Sequence, residues 1–418
     1  MAEAAGREQR GPVTGAARAD AAAGSGRPAP TRRGFWTVAV IFGIFLAAAS
    51  APSPLYALYA ADWGFGPTTL TEVFAVYAVA LLATLLVAGS VSDAVGRRPV
   101  ILVALVVQVL AMLAFVAADG VGWLVAARAL QGVATGLATG AFAAALLDLQ
   151  PGGRPGLGAL VNAVTPTVGL AAGALVAGAL VEYGPAQLRL VYLVLLVAFV
   201  LCALALARVT ETVIGRRRVD LRPRVGVAPE IRPAFLAGLP ALVAPWALGG
   251  LYLSLGPSLF LSIVGSDNRL AGASVIVVIA GCGGLASYTM RARPPRTTML
   301  AGCAALVVGV LVTAGGIAAS AGWLFLVGTA IAGLGFGAAF FGAFRTLAGL
   351  ADPSSRAKLV SSVYVAAYLA FAIPAVLAGF AAARWGLHDT AVGYALVVAV
   401  VAAVAIPLTL RTRPGAAA

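Results

Sequence analysis

Long apolar runs alternate along the chain with short breaks of polar, glycine and proline residues. A helix that crosses the hydrocarbon core of a bilayer needs about 20 predominantly apolar residues. Twelve runs approach or exceed this length, and glycine or proline marks most of the breaks. The pattern predicts an all-α integral membrane protein with twelve spans, at residues 35–58, 70–90, 99–118, 122–147, 156–181, 189–207, 234–262, 270–290, 298–319, 321–345, 357–382 and 390–410.

The longest polar gap, at residues 208–233, divides the twelve spans into two sets of six. We interpret it as a cytoplasmic linker between an amino-terminal six-helix bundle at 34–207 and a carboxy-terminal bundle at 234–410. Residues 1–33 consist largely of alanine, glycine and arginine and contain no apolar run. We therefore expect a disordered tail there, and a second, short tail at 411–418.

The composition agrees with a membrane protein and excludes a soluble enzyme. Hydrophobic residues make up 61% of the chain and charged residues 10%, against roughly 45–50% and about 25% in a typical globular domain. A soluble protein of this length would need many more charges to cover its surface.

The net charge of +13 would indicate a nucleic-acid partner in a soluble protein, but its distribution argues against one here. If the amino terminus is cytoplasmic, 24 of the 28 Lys and Arg residues fall in cytoplasmic segments. Three others, Arg189, Arg269 and Arg384, fall on the opposite side, and Arg128 lies inside the fourth span. Basic residues favour the cytoplasmic side, so both termini are expected in the cytoplasm of a multi-pass protein of the cell (inner) membrane.

The two halves resemble each other at a separation near 200 residues. The triplet Gly-Trp-Leu at 122–124 recurs at 322–324, and Pro151, Arg154 and Leu157 match Pro353, Arg356 and Leu359. A parallel repeat of six helices produces two bundles related by an axis along the membrane normal, with a substrate site between them near the midplane. Such halves can rock against each other, as alternating access requires.

The loop between the second and third spans is unusually polar for its apolar surroundings. A glycine, an aspartate four residues later and then Gly-Arg-Arg resemble the loop signature of the major facilitator superfamily. Ala94 departs from it, because the family usually has Arg or Lys there. The resemblance implies a twelve-helix secondary transporter similar to drug and metabolite exporters. The residues that carry it are Gly89, Asp93, Gly96, Arg97 and Arg98.

The resemblance also implies that this loop closes a cytoplasmic gate. Asp93 would accept hydrogen bonds at the amino-terminal end of the eleventh span, near residues 356–360. Arg97 would pair with Asp148 at the end of the fourth span. Alternatively, Arg97 and Arg98 serve only as positive anchors on the cytoplasmic side.

The fourth span contains Arg128 and Gln131, followed by glycine, which resembles the family's second signature, Arg-x-x-Gln-Gly. Arg128 lies about 9 Å into the span at 1.5 Å per residue. The resemblance implicates it in proton coupling; alternatively, its side chain extends to the membrane surface. No carboxylate falls at the centre of a span, so proton coupling must use a carboxylate near its edge, with Glu72 as the candidate acceptor, or carboxylates on the substrate.

The fifth span keeps Gly173 and Gly178 where many family antiporters have Gly-Pro-x-x-Gly-Gly, but it lacks that proline. Efflux is the first interpretation, and uptake of a sugar or organic acid is the alternative. A polytopic enzyme or a sensor is the alternative from another class. The single histidine, His388, lies in a loop beside Asp389, so we expect no metal site and no cofactor.

In the resembling family, the first, fourth, seventh and tenth spans line the cavity, with contributions from their neighbours. Each of the polar and aromatic candidates could instead pack in a core or at the membrane interface. Without a central counter-charge, a neutral or lipophilic substrate is expected, carried by a monomer with protons as the coupling ion. The candidates are Tyr56, Tyr77, Gln108, Asn162, Trp246, Tyr252, Tyr364 and Tyr368.

Overall fold

The computed structural model describes residues 32–89, 91–154, 156–213, 221–223, 225–352 and 355–411. Almost all of the tail expected at 1–33, residues 214–220 of the expected linker, and the tail expected after Arg411 lie outside these ranges. The predicted bundle and linker boundaries therefore stay predictions.

The described residues form the twelve predicted spans. Eleven helices are long and apolar enough to cross a membrane, and the sixth is an apolar helix of 17 residues. This confirms the predicted helical membrane fold. In chain order the helices are α1 Arg32–Trp63, α2 Pro67–Ala88, α3 Arg97–Val116, α4 Val121–Asp148, α5 Leu157–Tyr183, α6 Leu190–Leu206, α7 Arg232–Ser254 with its continuation Gly256–Val264, α8 Arg269–Thr289, α9 Pro295–Ala318, α10 Gly322–Leu350, α11 Arg356–Trp385 and α12 Leu387–Arg411.

The first helix of each half is interrupted, which the sequence analysis did not predict. In α1, the helix Arg32–Ser50 is followed by a 3-10 turn at Ser53–Leu55 and by the helix Tyr56–Trp63. Pro52 and Pro54 cause this break, because proline supplies no N–H to a helix. In α7 the break falls at Leu255, just before a proline. The spans predicted at 35–58 and 234–262 therefore need correction, since α1 continues to Trp63 and neither helix is continuous.

Twelve crossings bring the start of α1 and the end of α12 to one side of the bundle, which we call the terminal face; the opposite side is the distal face. Between the halves, α2 packs against α11 and α5 against α8. Among the described residues, hydrogen bonds between the two bundles occur only near the distal face. They run from Ser53 Oγ to Leu253 O (2.7 Å), Thr68 Oγ1 to Gly379 O (3.4 Å) and Arg269 N to Glu182 Oε2 (2.7 Å).

The two glycines of the fifth span allow backbones to approach closely. A Cβ atom on Gly178 would lie 2.6 Å from Ala273 Cβ and 3.2 Å from Leu270 Cα, so this glycine belongs to the contact between the halves. A Cβ atom on Gly173 would instead collide with the backbone of Ala47, inside the first half. Small residues at helix crossings have this effect in membranes generally. The two glycines thus act at different interfaces.

Substitution Gly178→Val is expected to open the distal face, because the added side chain cannot fit against α8. In nanodiscs, a cysteine replacing Ser53, which is buried at the distal contact, should react several-fold faster with a bulky maleimide when Gly178→Val is also present. Gly281→Val is the matched control, because a Cβ there meets nothing within 4 Å. Equal maleimide rates in all three proteins would contradict this role of Gly178.

Candidate functional site

Arg97 holds the loop between α2 and α3 against the end of α4. Its guanidinium pairs with Asp93, donates to Ser92 Oγ at 3.0 Å and reaches Asp148 Oδ2 at 3.3 Å through Nε. The structure thus brings Arg97 and Asp148 together, in the pairing that the sequence analysis anticipated. Gly89, at the end of α2, packs beside α4, with its carbonyl oxygen 3.7 Å from the Cβ position of Gly140.

Glu211, which the sequence analysis did not single out, caps the amino terminus of α3. Its Oε1 atom accepts the backbone N–H of Arg97 at 3.0 Å and its Oε2 atom that of Arg98 at 2.9 Å. Oε1 also accepts the N–H groups of Thr212 and Val213. The first N–H groups of a helix have no partner within the helix, and a negative charge is favoured there. One carboxylate therefore joins α3 to the chain that leaves α6.

Gly96 is required by this cap. Its φ angle is +117°, a conformation that side chains disfavour, and a Cβ atom there would lie 2.6 Å from Glu211 Oε2. Thr212 completes the joint by donating its hydroxyl to Asp148 Oδ2 at 3.0 Å. A glycine is needed at position 96 because the carboxylate of Glu211 approaches its backbone so closely.

Asp93 does not occupy the position expected from the resemblance. Among the described residues it pairs with Arg97, and no hydrogen bond from the start of α11 to Asp93 is present. The physical reason is the arrangement of the halves, whose hydrogen bonds to each other lie at the distal end. The expected contact with residues 356–360 is therefore not made in this conformation.

Arg128 is buried inside the first half, with 1% of its surface exposed. It donates to Ala49 O at 3.2 Å and to Gln131 Oε1 at 2.5 Å, and Gln131 Nε2 donates to Ala48 O at 2.8 Å. The guanidinium also lies over the ring of Tyr77, 4.4 Å from its centroid, a distance at which a cation is attracted. The side chain thus faces the protein interior and does not extend to the membrane surface.

The break in α1 supplies these acceptors. In a continuous helix, Ala48 O would accept the N–H of residue 52, but that residue is a proline. Ala49 is likewise within the last turn before the break, where carbonyl groups lack helical partners and carry the negative end of the helix dipole. Arg128 and Gln131 donate hydrogen bonds to these carbonyl oxygens. The break thus provides acceptors for the buried side chains, and the side chains provide donors for the free carbonyls.

The described residues include no carboxylate paired with Arg128, and Glu72 is exposed on the other side of α2 from Phe74 and Tyr77. Several buried polar atoms nearby or in the same half have no hydrogen-bond partner. They include Arg128 Nε, Tyr56 Oη and both amide atoms of Gln108, whose side chain is 0% exposed.

The remaining cavity candidates lie in three different surroundings. Tyr252 lies in the interior of the second half, where its hydroxyl bonds to Thr329 Oγ1 at 3.0 Å, and so it does not face the first half. Trp246, Tyr364 and Tyr368 form one connected ring cluster. Tyr368 packs against a small cluster of the first half that consists of Ala49, Tyr77 and Leu81. Asn162 donates from Nδ2 to Ala143 O at 3.0 Å.

Substitution Glu211→Gln is expected to destabilise the joint by about 1–2 kcal/mol, because the amide offers one acceptor oxygen and no charge to four N–H donors. Thermal unfolding of the purified protein should start several degrees lower. Glu230→Gln is the matched control, since Glu230 is exposed and lies in the same connection between the bundles. The same melting behaviour in both variants would exclude a capping role for Glu211.

Solved structures with the same fold were found. The chain aligns with the inward-facing, unoccupied and occupied structures of a bacterial homologue of the human lysosomal transporter Spinster. The TM-scores are 0.70 and 0.69 at 15% and 14% identity, covering 92% and 90% of this chain and 98% and 96% of the other. A mutant of the nucleoside transporter NupG gives a TM-score of 0.67 at 10% identity, covering 91% of this chain and 99% of the other. A search of curated protein sequences found no match.

The similarity to these solved structures shows the fold. The family is shown by a match of the sequence to a family pattern. The pattern that defines the Major Facilitator Superfamily matches residues 38–315, which include the loop of Arg97, the buried Arg128 and the junction at Glu211. This agrees with the resemblance inferred from the loop between α2 and α3. The chain belongs to the Major Facilitator Superfamily of membrane transporters.

Proposed function

We propose that the protein is a secondary active transporter that moves a small, neutral or lipophilic organic molecule by alternating access. The proposed direction is efflux, coupled to protons. The observation that supports this proposal is the arrangement of the two halves. Their described hydrogen bonds to each other lie near the distal face, and none joins them at the terminal face. Such a contact can be exchanged for one at the opposite face when the halves rock.

The positions of the acidic residues support an uncharged substrate. All eleven described carboxylates lie near one face or the other, so that none would neutralise a cation bound at the centre. They are Asp62, Glu72, Asp119, Glu182, Asp267 and Asp389 towards the distal face, and Asp93, Asp148, Glu211, Glu230 and Asp352 towards the terminal face.

Proton coupling is proposed to involve Arg128 and Glu72. Burying an arginine in a membrane costs at least ~2.5–3.5 kcal/mol, and Arg128 is buried where its partners are a carbonyl, an amide and a ring. Glu72 is the described acid on α2, the helix whose Tyr77 ring contacts Arg128.

Uptake of a nutrient is the second candidate. The absence of the proline from the fifth-span signature weakens the exporter interpretation, and the structural likeness includes a transporter of nucleosides. For either direction we propose a monomer in the cell (inner) membrane, with the terminal face in the cytoplasm. The distribution of Lys and Arg supports this orientation.

The direction can be read from the sign of proton movement. Proteoliposomes are loaded with one compound at a time from a panel of lipophilic antibiotics, sugars and organic acids, and internal pH is followed with a trapped dye. If a lipophilic compound leaves in exchange for protons, the interior acidifies; if a sugar leaves together with protons, the interior becomes alkaline. An uncoupler should abolish either signal, and a panel without any response would contradict the proposal.

Substitution Arg128→Lys is expected to reduce the coupled signal at least tenfold, because an ammonium cannot reproduce the planar contacts with Ala49, Gln131 and Tyr77. Proton movement per compound transported is the measurement. Undiminished coupling would exclude a role for the geometry of the guanidinium.

Substitution Glu72→Gln is expected to abolish transport driven by a pH gradient while leaving exchange of compound across the membrane without a gradient. The reason is that the amide cannot take up a proton. Asp119→Asn is the matched control, since Asp119 is another exposed acid towards the distal face. Gradient-driven transport that survives Glu72→Gln would show that another group carries the proton.

A further inference from the structure

Five ring side chains of the second half form a continuous surface, which we call the aromatic wall. Ring centroids lie 5.4 Å apart between Trp246 and Phe340 and 4.8 Å between Trp246 and Tyr368. The series continues from Tyr368 to Tyr364 at 6.3 Å and from Tyr364 to Phe344 at 6.4 Å. All four distances lie in the range at which aromatic rings attract each other. α7, α10 and α11 therefore share one aromatic surface.

The aromatic wall faces the other half of the protein and is turned away from lipid. On α11 the exposed side chains Ile373 and Phe380 mark the lipid-facing side. At 100° per residue, Tyr364 lies 180° from Ile373 around the helix. At its distal end the wall continues through Phe371, whose ring lies 4.9 Å from that of Phe74 on α2. The partly exposed rings of Tyr364 and Tyr368 are therefore open towards the space between the halves.

The duplication supplies an internal comparison for the aromatic wall. At the sequence offset of 202 residues, Tyr364 corresponds to Asn162 and Tyr368 to Pro166. The first half thus has an amide and a proline where the second half has two stacked tyrosines. At these two positions the aromatic side chains belong to the second half alone.

Two polar atoms, one in the wall and one at the position of the first half that corresponds to Tyr364, lack partners. Trp246 Nε1 is shielded from solvent and donates no hydrogen bond, and Asn162 Oδ1 accepts none. A shielded polar atom without a partner costs about 1–3 kcal/mol, which a ligand with a polar edge would recover. The described carboxylates all lie towards the two faces, so an organic cation would find no counter-charge beside the rings.

We propose that the aromatic wall binds an uncharged, planar aromatic compound that carries a hydrogen-bonding group at its edge. The ring system packs against Tyr364, Tyr368 and Trp246, and the polar edge bonds to Trp246 Nε1 or Asn162. This substrate class rests on the proposed transport function, but binding can be measured without any gradient.

Three probes with the same three-ring skeleton are compared in nanodiscs by equilibrium dialysis, with partition into protein-free nanodiscs subtracted. 9-Phenanthrol is planar, aromatic and neutral, its perhydro counterpart lacks the π-system, and N-methylphenanthridinium carries a permanent charge. The proposal expects 9-phenanthrol to bind at least several-fold more tightly than both others. Equal or tighter binding of the saturated compound, or of the cation, would overturn it.

Variants locate the site. Tyr368→Leu is expected to weaken 9-phenanthrol binding about 3- to 10-fold, the effect of one aromatic contact, while Tyr368→Phe restores it. Phe380→Leu is the matched control, because Phe380 lies on the lipid-facing side of α11. A loss as large in Phe380→Leu as in Tyr368→Leu would contradict the site.

A second measurement does not depend on the folding of a tyrosine variant. 9-Bromophenanthrene should quench part of the tryptophan fluorescence of the wild-type protein, and Trp246→Phe should remove that part. Quenching that is unchanged by Trp246→Phe would place the compound elsewhere. If 9-phenanthrol binds at the wall and produces no proton movement in proteoliposomes, the site stands and the proposed transport function fails.

Discussion

A guanidinium inside a membrane-spanning bundle depends on partners within the protein, because hydrocarbon offers none. Arg128 finds them at the carbonyls of Ala48 and Ala49, directly and through Gln131. Those carbonyls are free because α1 breaks before Pro52 and Pro54. The break also positions Ser53 for its hydrogen bond to the second half. The buried charge, the interruption of α1 and the distal contact between the halves thus depend on one another.

At the terminal face, charged side chains bond to each other and to backbone N–H groups. There, Glu211 bonds to backbone N–H groups at the start of α3, while Arg97 connects Asp93 with Asp148. The far end of the connection between the bundles is anchored as well, since Gly226 N donates to Ser362 Oγ on α11 at 3.0 Å. The described residues at the two ends of the connection are thus attached to α3 and to α11.

The spans were predictable from sequence because hydrocarbon imposes a length and a polarity on each helix, and the family was recognisable from the charged loop after α2. Glu211 was not predictable, because backbone N–H groups leave no mark in the sequence and a carboxylate in a polar linker looks like any other. The contact of Asp93 with α11 that the resemblance implied is not made by the described residues, in which Asp93 pairs with Arg97. The break in α1 was missed because hydropathy averages over the two prolines.

The aromatic wall was visible only in part. Trp246, Tyr364 and Tyr368 could be nominated as cavity residues, but their joining with Phe340 and Phe344 depends on how α7, α10 and α11 cross. Tyr252 was also nominated as a cavity residue, but its hydroxyl bonds to Thr329 inside the second half. The sequence does not show which neighbour a tyrosine will meet.

Small residues lie at two points of the contact between α5 and α8. Gly178 lies against Ala273 and Leu270, and the side chain of Thr167 fits against Gly284. Where Gly178 meets Ala273, no long side chain has to change rotamer when one helix rolls over the other. The halves can therefore turn about this point with few changes of side-chain conformation.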